Sequence, residues 1–320
     1  MFLHVANGHS ATELIERSGL RGRTMVWCDP LYEGPVPGHL SDEELVRLRA
    51  EFLAPTADAV GDLQSALAGW RAAVDDTSAY DELVLWFEHD LFDQLNLIQL
   101  LAHLGRRQPW PTPVSLISID RHEGHPDFRG LGELTPAEIA ALFPQRVPIT
   151  PGEVALATRA WAAFRSPDPG AIVDLLRSDT SALPFLAGAL ARHLEEFPSE
   201  RDGLSRSERQ LMSLAISGAA DLQALLSRMH DGEHWYYATD TMLLDRARAL
   251  ASTSPALLTL SGGGGGGSSA TITLTADGRD VLRGAADRVR LCGIDRWLGG
   301  VHLRGGGPLW RWSAGKLTPS

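Results

Sequence analysis

The chain has 320 residues, 44% of them hydrophobic and 22% charged, with 32 Gly and 19 Pro, values that exclude fibrous, collagen-like and wholly disordered classes. The net charge of -11 is uneven: residues 201–320 carry 14 Lys and Arg against 11 Asp and Glu, whereas residues 1–200 carry 15 against 29. The acidic half repels nucleic acid at long range, so extensive tracking of a phosphate backbone is disfavoured. Cys28 and Cys292 belong to no C-x-x-C pair, and no run approaches the roughly 18 apolar residues that span a bilayer. Met1 to Ser10 lacks a basic stretch followed by an apolar one, so the expectation is a soluble, cytoplasmic protein with no membrane partner.

Phe2 to Ala6 is a short apolar run ending in Asn7-Gly8-His9-Ser10. Ala11 to Ser18 then has helical composition, with Leu14 and Ile15 on one face and Gly19 as its stop. Thr24 to Cys28 is a second β-prone run, broken at Asp29-Pro30, and the recurring Pro and Gly of Leu31 to Gly38 demand an irregular loop. Ser41 with Glu44 forms a capping-box pattern, and helical composition runs through Leu53 and again from Thr56 to Val74. Leu83 to Phe87 is apolar throughout, as expected of a parallel strand covered on both faces. Phe92 to Leu104 reads as a helix with Leu95, Ile98 and Leu101 on one side, and Val114 to Ile119 as a strand ending at Asp120. Strands alternating with helices predict an α/β class: a Rossmann-like, mainly parallel sheet over residues 1–134.

From Thr135, which can cap a helix with Glu138, the strand signal fades, and helices over 152–164, 170–176 and 186–196 suggest a helical connector spanning 135–202. Residues 203–285 have another grammar. The Ser205/Glu208 capping box opens a helix to Ser217, helices follow over 222–229 and 241–252, and the β-prone runs Leu257 to Leu260 and Thr271 to Leu274 flank a Gly/Ser stretch expected to be a floppy tip. With a last helix from Ala276, this order resembles a winged helix-turn-helix, an α+β module. Its third helix offers Arg246 and Arg248 but also Asp240 and Asp245, and its wing has no cation, so a nucleic-acid partner is disfavoured against packing or a protein partner. Residues 286–320 hold Trp297, Trp310 and Trp312 and read as a Trp-rich terminal hairpin locked to a core.

In open parallel sheets, ligands bind beyond the carboxyl ends of the strands. Each predicted strand here ends in polar residues. Asn7, Gly8, His9 and Ser10 form a loop short enough for a backbone to approach a phosphate, although neither G-x-G-x-x-G nor G-x-x-x-x-G-K is present. The densest cluster, Glu88 to Gln94, brings Asp90 and Asp93 or Gln94 onto one helix face beside His89, which suits acid-base work or an oxygen-rich divalent metal site as well as simple capping. The catalytic candidates are therefore His89, Asp90, Asp93 and Asp29. The ligand-binding candidates are Asn7, Gly8, His9, Ser10, Glu33, Gly34, Glu88, Gln94 and Asp120. His122-Glu123-Gly124-His125-Pro126-Asp127 reads as a solvated loop in preference to a metal site, because its spacing matches no zinc motif.

His4 to Ser10, Trp27 to Pro37, Leu85 to Leu95, Leu194 to Pro198 and Gly203 to Arg209 together resemble the bacterial family called domain of unknown function 1835. That family's first loop often carries Asn-Gly-Asp-Ser, and His9 stands at its acidic position here. The resemblance implies that Asn7, Gly8, Ser10, Asp29, Glu33, Gly34, Glu88, His89, Asp90, Asp93 and Gln94 are signature positions, and it carries over no activity. The residues themselves point to binding of a small phosphorylated or nucleotide-like ligand at the strand tips, with hydrolysis or group transfer. The alternative is a ligand-responsive winged-helix regulator or an interaction scaffold.

Overall fold

A computed structural model describes residues 1–107, 109–218, 220–262, 270–305 and 309–319. The chain divides into two compact units, Met1–Leu190 with Trp297–Val301, and Ala191–Arg296 with His302–Ser320.

The first unit is built on a five-stranded sheet. In chain order it comprises β1 (Phe2–Ala6), α1 (His9–Arg17), β2 (Gly22–Val26), α2 (Asp42–Leu53), α3 (Val60–Asp75), β3 (Glu82–Glu88), α4 (Leu91–Gly105), β4 (Val114–Ile119), α5 (Pro136–Leu142), β5 (Val147–Pro148), α6 (Pro151–Phe164) and α7 (Gly170–Leu176). The spatial order is β2-β1-β3-β4-β5, with β1 to β4 parallel and β5 antiparallel at the edge. Val5 stands between Met25 and Leu85 in the register, and Trp86 pairs with Ile117. Side chains alternate across a strand, so Val84 and Trp86 of β3 pack with Ala11, Ile15, Ile139 and Leu142 of α1 and α5, while Leu85 and Phe87 point to the opposite face. Both faces are covered, which is why β3 is apolar from Leu83 to Phe87. The buried His4 is accommodated within β1 because its Nδ1 accepts from Trp86 Nε1 at 3.2 Å.

The capping boxes read at Ser41/Glu44 and Thr135/Glu138 are formed. The helices expected as a connector fall on both sides of the division between units, α5 to α7 lying with the sheet. Strand β5 carries no sequence signal because it is two residues long and contains a proline, tolerable only at a sheet edge.

The second unit comprises α8 (Leu186–Leu194, which crosses the division), α9 (Arg206–Leu214), β6 (Ala220–Asp221), α10 (Leu222–His230), α11 (Asp240–Ala251), β7 (Leu258–Ser261), β8 (Thr271–Leu274), α12 (Ala276–Arg283), α13 (Arg288–Cys292), the strands β9 (Asp295–Leu298) and β10 (Val301–Arg304), which cross the division as well, and the strands β11 (Trp310–Ser313) and β12 (Lys316–Pro319). A three-stranded antiparallel sheet, β6-β8-β7, packs Ile272 and Leu258 with Leu211, Leu225, Leu243, Leu250 and Val281. Of the expected Gly/Ser tip, residues 263–269 lie outside the described residues.

The terminal segment corrects the sequence reading. It forms two separate two-stranded sheets, β9 with β10 and β11 with β12, so the strand bearing Trp310 and Trp312 pairs with Lys316–Pro319 and not with the stretch around Trp297. The turn between β11 and β12 uses positive φ at both Ala314 (45°) and Gly315 (85°), the twist that tight hairpins require. The Gly299-Gly300 turn belongs to the first unit, where Val36 N donates to Gly299 O at 2.9 Å and Gly300 N donates to Phe164 O at 2.9 Å.

That docking leaves no room for a side chain: a Cβ on Gly300 would stand 1.9 Å from the Arg165 carbonyl oxygen. Gly300→Ala is expected to lower unfolding free energy by about 1–3 kcal/mol in urea titrations. Gly69→Ala, in the interior of α3 with open space around it, is expected to raise it by up to about 1 kcal/mol.

Candidate functional site

The strand order reverses between β1 and β3, and the carboxyl ends of these neighbours carry Asn7 and Glu88. After Glu88 the chain turns at once into α4, capped by Asp90, whose carboxylate accepts from Asp93 N at 2.9 Å. Asp93 folds back: its carboxylate accepts from Glu88 N at 2.7 Å and from Asn7 Nδ2 at 2.9 Å. Gln94 Nε2 donates to Glu88 O at 2.6 Å. The Glu88 carboxylate accepts from Asn7 Nδ2 and from the Leu131 backbone N–H. Gly130 allows this approach, since a Cβ there would lie 3.0 Å from Glu88 Oε1. Three loops, following β1, β3 and β4, thus meet on one carboxylate.

Glu88, Asp90, Asp93 and Gln94 are all buried, Asp93 to 1% exposure. Burial pushes the Glu88 carboxyl up to about 7, helped by the Asp90 charge and opposed by hydrogen bonds from Asp93, Leu131 and Asn7. Burial, then the charge of Asp93, raises Asp90 well above the ordinary carboxylate range. Burial, then the charge of Glu88 and the hydrogen bond to it, does the same for Asp93. Burial and mutual repulsion make all three carboxyls resist ionisation, and Glu88 keeps a proton available near neutral pH, the condition for a general acid.

The other predicted residues are placed elsewhere. His89 is fully buried with its ring edge-on to Phe185, centroids 6.2 Å apart. His9 and Ser10 are exposed in the first turn of α1, behind Gly8, which caps that helix without a side-chain bond. Asp120, at the tip of β4, pairs with the exposed Arg121 at 3.0 Å, and that hydrogen bond lowers its pKa. Asp29 does not join the carboxyl cluster's hydrogen bonds. Its carboxylate takes Arg49 Nη2 at 2.6 Å and Nε at 3.1 Å, and the same guanidinium donates to Glu33 O at 2.6 Å and Pro30 O at 3.1 Å. This buried pair staples the loop after β2 to α2. Gly34 is required there by its positive φ of 75° and by the Phe52 ring, 2.4 Å from where a Cβ would stand. An orienting role for Asp29 in chemistry thus gives way to a loop-holding one.

Arg49 escaped the sequence reading, although its signal was present: it lies on the stripe Leu45, Val46, Arg49, Ala50, and a cation on an apolar face needs a buried anion. Asn96 and Gln99 were missed as well. Asn96 brackets the Asp29 backbone, accepting from its N at 3.0 Å and donating to its O at 2.9 Å, and Gln99 Oε1 accepts from Trp27 Nε1 at 2.9 Å.

For a metal, among the described residues the ligand-capable atoms of His122, His125 and Glu138 lie within 4.8 Å of one another. His125 Nε2 is 3.1 Å from Glu138 Oε1, and His122 Nδ1 sits 2.9 Å from Glu123 O. The loop expected to be merely solvated therefore gathers a nitrogen- and oxygen-bearing set suited to a divalent transition metal. A scan against protein-family models finds no match to the chain, and a search of curated proteins finds no relative.

Two measurements follow from this geometry. A free glutamate titrates near ~4.3, and Glu88 does so at about 7, so between these values the folded state keeps a proton that the unfolded chain has released. The contribution of Glu88 to stability is therefore fully present below the unfolded value and falls by about 3 kcal/mol as pH rises to 7, with Asp90 and Asp93 acting in the same sense. Glu88→Gln is expected to flatten that slope in urea unfolding measured from pH 5 to 8. Arg49→Met, which leaves Asp29 buried without its cation, is expected to cost about 3–5 kcal/mol in the same assay at pH 7.

Proposed function

We propose that the α/β unit is a Rossmann-like domain that binds a small phosphorylated or nucleotide-like molecule in the crevice between the carboxyl ends of β1 and β3, and acts on it as a hydrolase or group-transfer enzyme. The observation that carries this reading is that Asn7, on the turn from β1 into α1, donates to both Glu88 and Asp93 where the strand order reverses. In open α/β sheets that reversal is where ligands bind. The N-terminus of α1 supports the anionic half of the ligand, because with Gly8 as cap its first N–H groups have no side-chain acceptor. Ser10 adds a hydroxyl donor and His9 an imidazole. Beside them, Asp90 or Glu88 supplies a proton to a leaving oxygen, and Asp93 and Asn7 hold the pair in place. A divalent cation suits such a substrate. His122, His125 and Glu138 would hold it, on the same connection that sends Leu131 N to Glu88.

We further propose kinship with the domain of unknown function 1835, which the resemblance around Asn7, Glu88, Asp90 and Asp93 supports, and a reducing cytoplasm, which suits the two free cysteines. The second reading is a ligand-responsive regulator. It is supported by the order α9, β6, α10, α11, β7, β8, α12, which resembles that of a winged helix. The cations of α11 are engaged within the chain: Arg246 with Glu196 at 3.3 Å and Arg248 with Asp245 at 3.1 Å. That supports a protein partner or internal packing over DNA.

Calorimetric titration with nucleoside mono- and diphosphates and sugar phosphates, with and without EDTA, tests the leading reading. One member is expected to bind and be turned over, and Asp90→Asn combined with Asp93→Asn is expected to abolish both. Unchanged binding by that folded double variant rejects the site.

A further inference from the structure

The second half of α4 borders a different feature, a cavity of about 270 Å³ in the first unit, bounded by α2, α3, α4, α6 and the loop after β2. Neither Asn7, Glu88, Asp90 nor Asp93 lines it. Gln99 is six residues beyond Asp93, about 9 Å further along the helix. Trp27 and Trp161 supply aromatic walls, and Arg71, Arg106 and Arg165 bring three guanidinium groups to one space.

The charges there do not balance. Among the described residues the lining's carboxylate is Asp42, and it is already taken, paired with Arg106 and 3.3 Å from His103 Nδ1. Although burial opposes it, hydrogen bonds from His103 and Arg106 hold Asp42 well below the usual carboxylate range, so it stays an anion bonded to those two partners and attracting Arg71 through space. Arg71 donates to the Leu67 carbonyl at 2.8 Å and lies over the Trp27 ring at 5.3 Å. Arg165 donates to the Pro37 and Leu40 carbonyls at 2.8 and 2.7 Å and lies over Trp161 at 5.4 Å. Among the described residues, no carboxylate stands within ion-pair distance of Arg71 or Arg165.

An amide supplies the second, independent observation. Gln99, 4% exposed, is oriented by the bond from Trp27 Nε1 to its Oε1, which commits its Nε2 as a donor, and that nitrogen has no hydrogen-bond partner. A buried donor without an acceptor is costly and rare in folded proteins. In the same lining stand Arg71 and Arg165, which feel the charge of Asp42 through space and make no direct ion pair with it. What is missing is an acceptor with negative charge. The volume holds roughly nine waters, which exceeds the need of an inorganic ion, and the tryptophan faces favour a flat, polarisable body.

We propose that this cavity is a binding site for a small molecule bearing a planar ring and a carboxylate or phosphate, with Arg71 and Gln99 Nε2 meeting the anion and Trp27 or Trp161 the ring. The site shares no lining residue with Asn7, Glu88, Asp90 and Asp93 at the ends of β1 and β3 and does not depend on their chemistry.

Tryptophan fluorescence and calorimetry on the full chain test it with four probes: salicylate, adenosine 5′-monophosphate, adenosine and inorganic phosphate. At least one of the two charged rings is expected to bind, with adenosine and phosphate alone at least tenfold weaker; whichever charged ring binds distinguishes a carboxylate from a phosphate. Arg71→Gln and Gln99→Leu are each expected to weaken that binding at least tenfold, Arg71→Lys to restore part of it, and the Asp90→Asn, Asp93→Asn double variant to leave it unchanged. Should Arg71→Gln fail to fold, Arg71→Lys and Gln99→Leu carry the comparison. The proposal is overturned if neither charged ring binds at about 1 mM, if adenosine binds as well as its monophosphate, if the Arg71 and Gln99 variants keep full affinity, or if the Asp90/Asp93 variant alone loses it.

Discussion

A carboxylate withdrawn from water at the end of the central strand sets the terms for the rest of the first unit. Glu88 is 4% exposed, and an ionised carboxylate in that position needs donors on every side or a proton of its own. The chain provides both. Asn7 arrives from β1 and the Leu131 N–H from the connection after β4, while Asp93, in the first turn of α4, accepts from Glu88 N and from Asn7. Both donors come from segments far away in sequence, so satisfying this one group also fixes how the loops after β1 and β4 lie over the sheet. The cost of burying it appears as the raised affinity of Glu88, Asp90 and Asp93 for protons.

Helix α4 distributes that arrangement. Its apolar residues Leu95, Ile98 and Leu101 serve the core, while Asp93, Asn96, Gln99 and His103, spaced three or four apart, form a polar row that is largely buried too. Asp93 braces the strand tips, Asn96 clamps the Asp29 backbone, Gln99 orients Trp27, and His103 bridges Asp42 and Asp75. The loop after β2 is then held from the other side by Arg49 on α2. One helix therefore connects the candidate crevice at its start with the arginine-lined cavity along its second half. In the second unit a related solution is used: Glu196, buried, is held ionised by Arg246, Arg192 and Arg296 against the effect of burial.

Much of this was legible before folding. Unbroken apolar character announced β3, the capping pairs Ser41/Glu44, Thr135/Glu138 and Ser205/Glu208 marked helix starts that are formed, and the density of ionisable groups from Glu88 to Gln94 marked the place where the loops converge. The illegible parts share a cause. Asp29 looked like a member of the cluster because it follows a strand, yet its partner Arg49 is defined by the packing of α2. The His122, His125, Glu138 grouping joins a loop to the first turn of a helix, and the cavity needs side chains from five segments. The pairing of β11 with β12, not with β9 or β10, depends on a two-residue turn whose Ala314 adopts a backbone that its residue type rarely chooses.

The amino-acid sequence by itself determined the local elements and the positions of the polar strand ends, because periodicity, capping and turn chemistry act over a few neighbouring residues. Which carboxylate shares protons, which one is spent on an arginine, and which cations are left facing an open space were decided only by the tertiary structure. Burial, the quantity that sets those fates, arises when distant segments remove water from one another, and no local pattern contains it.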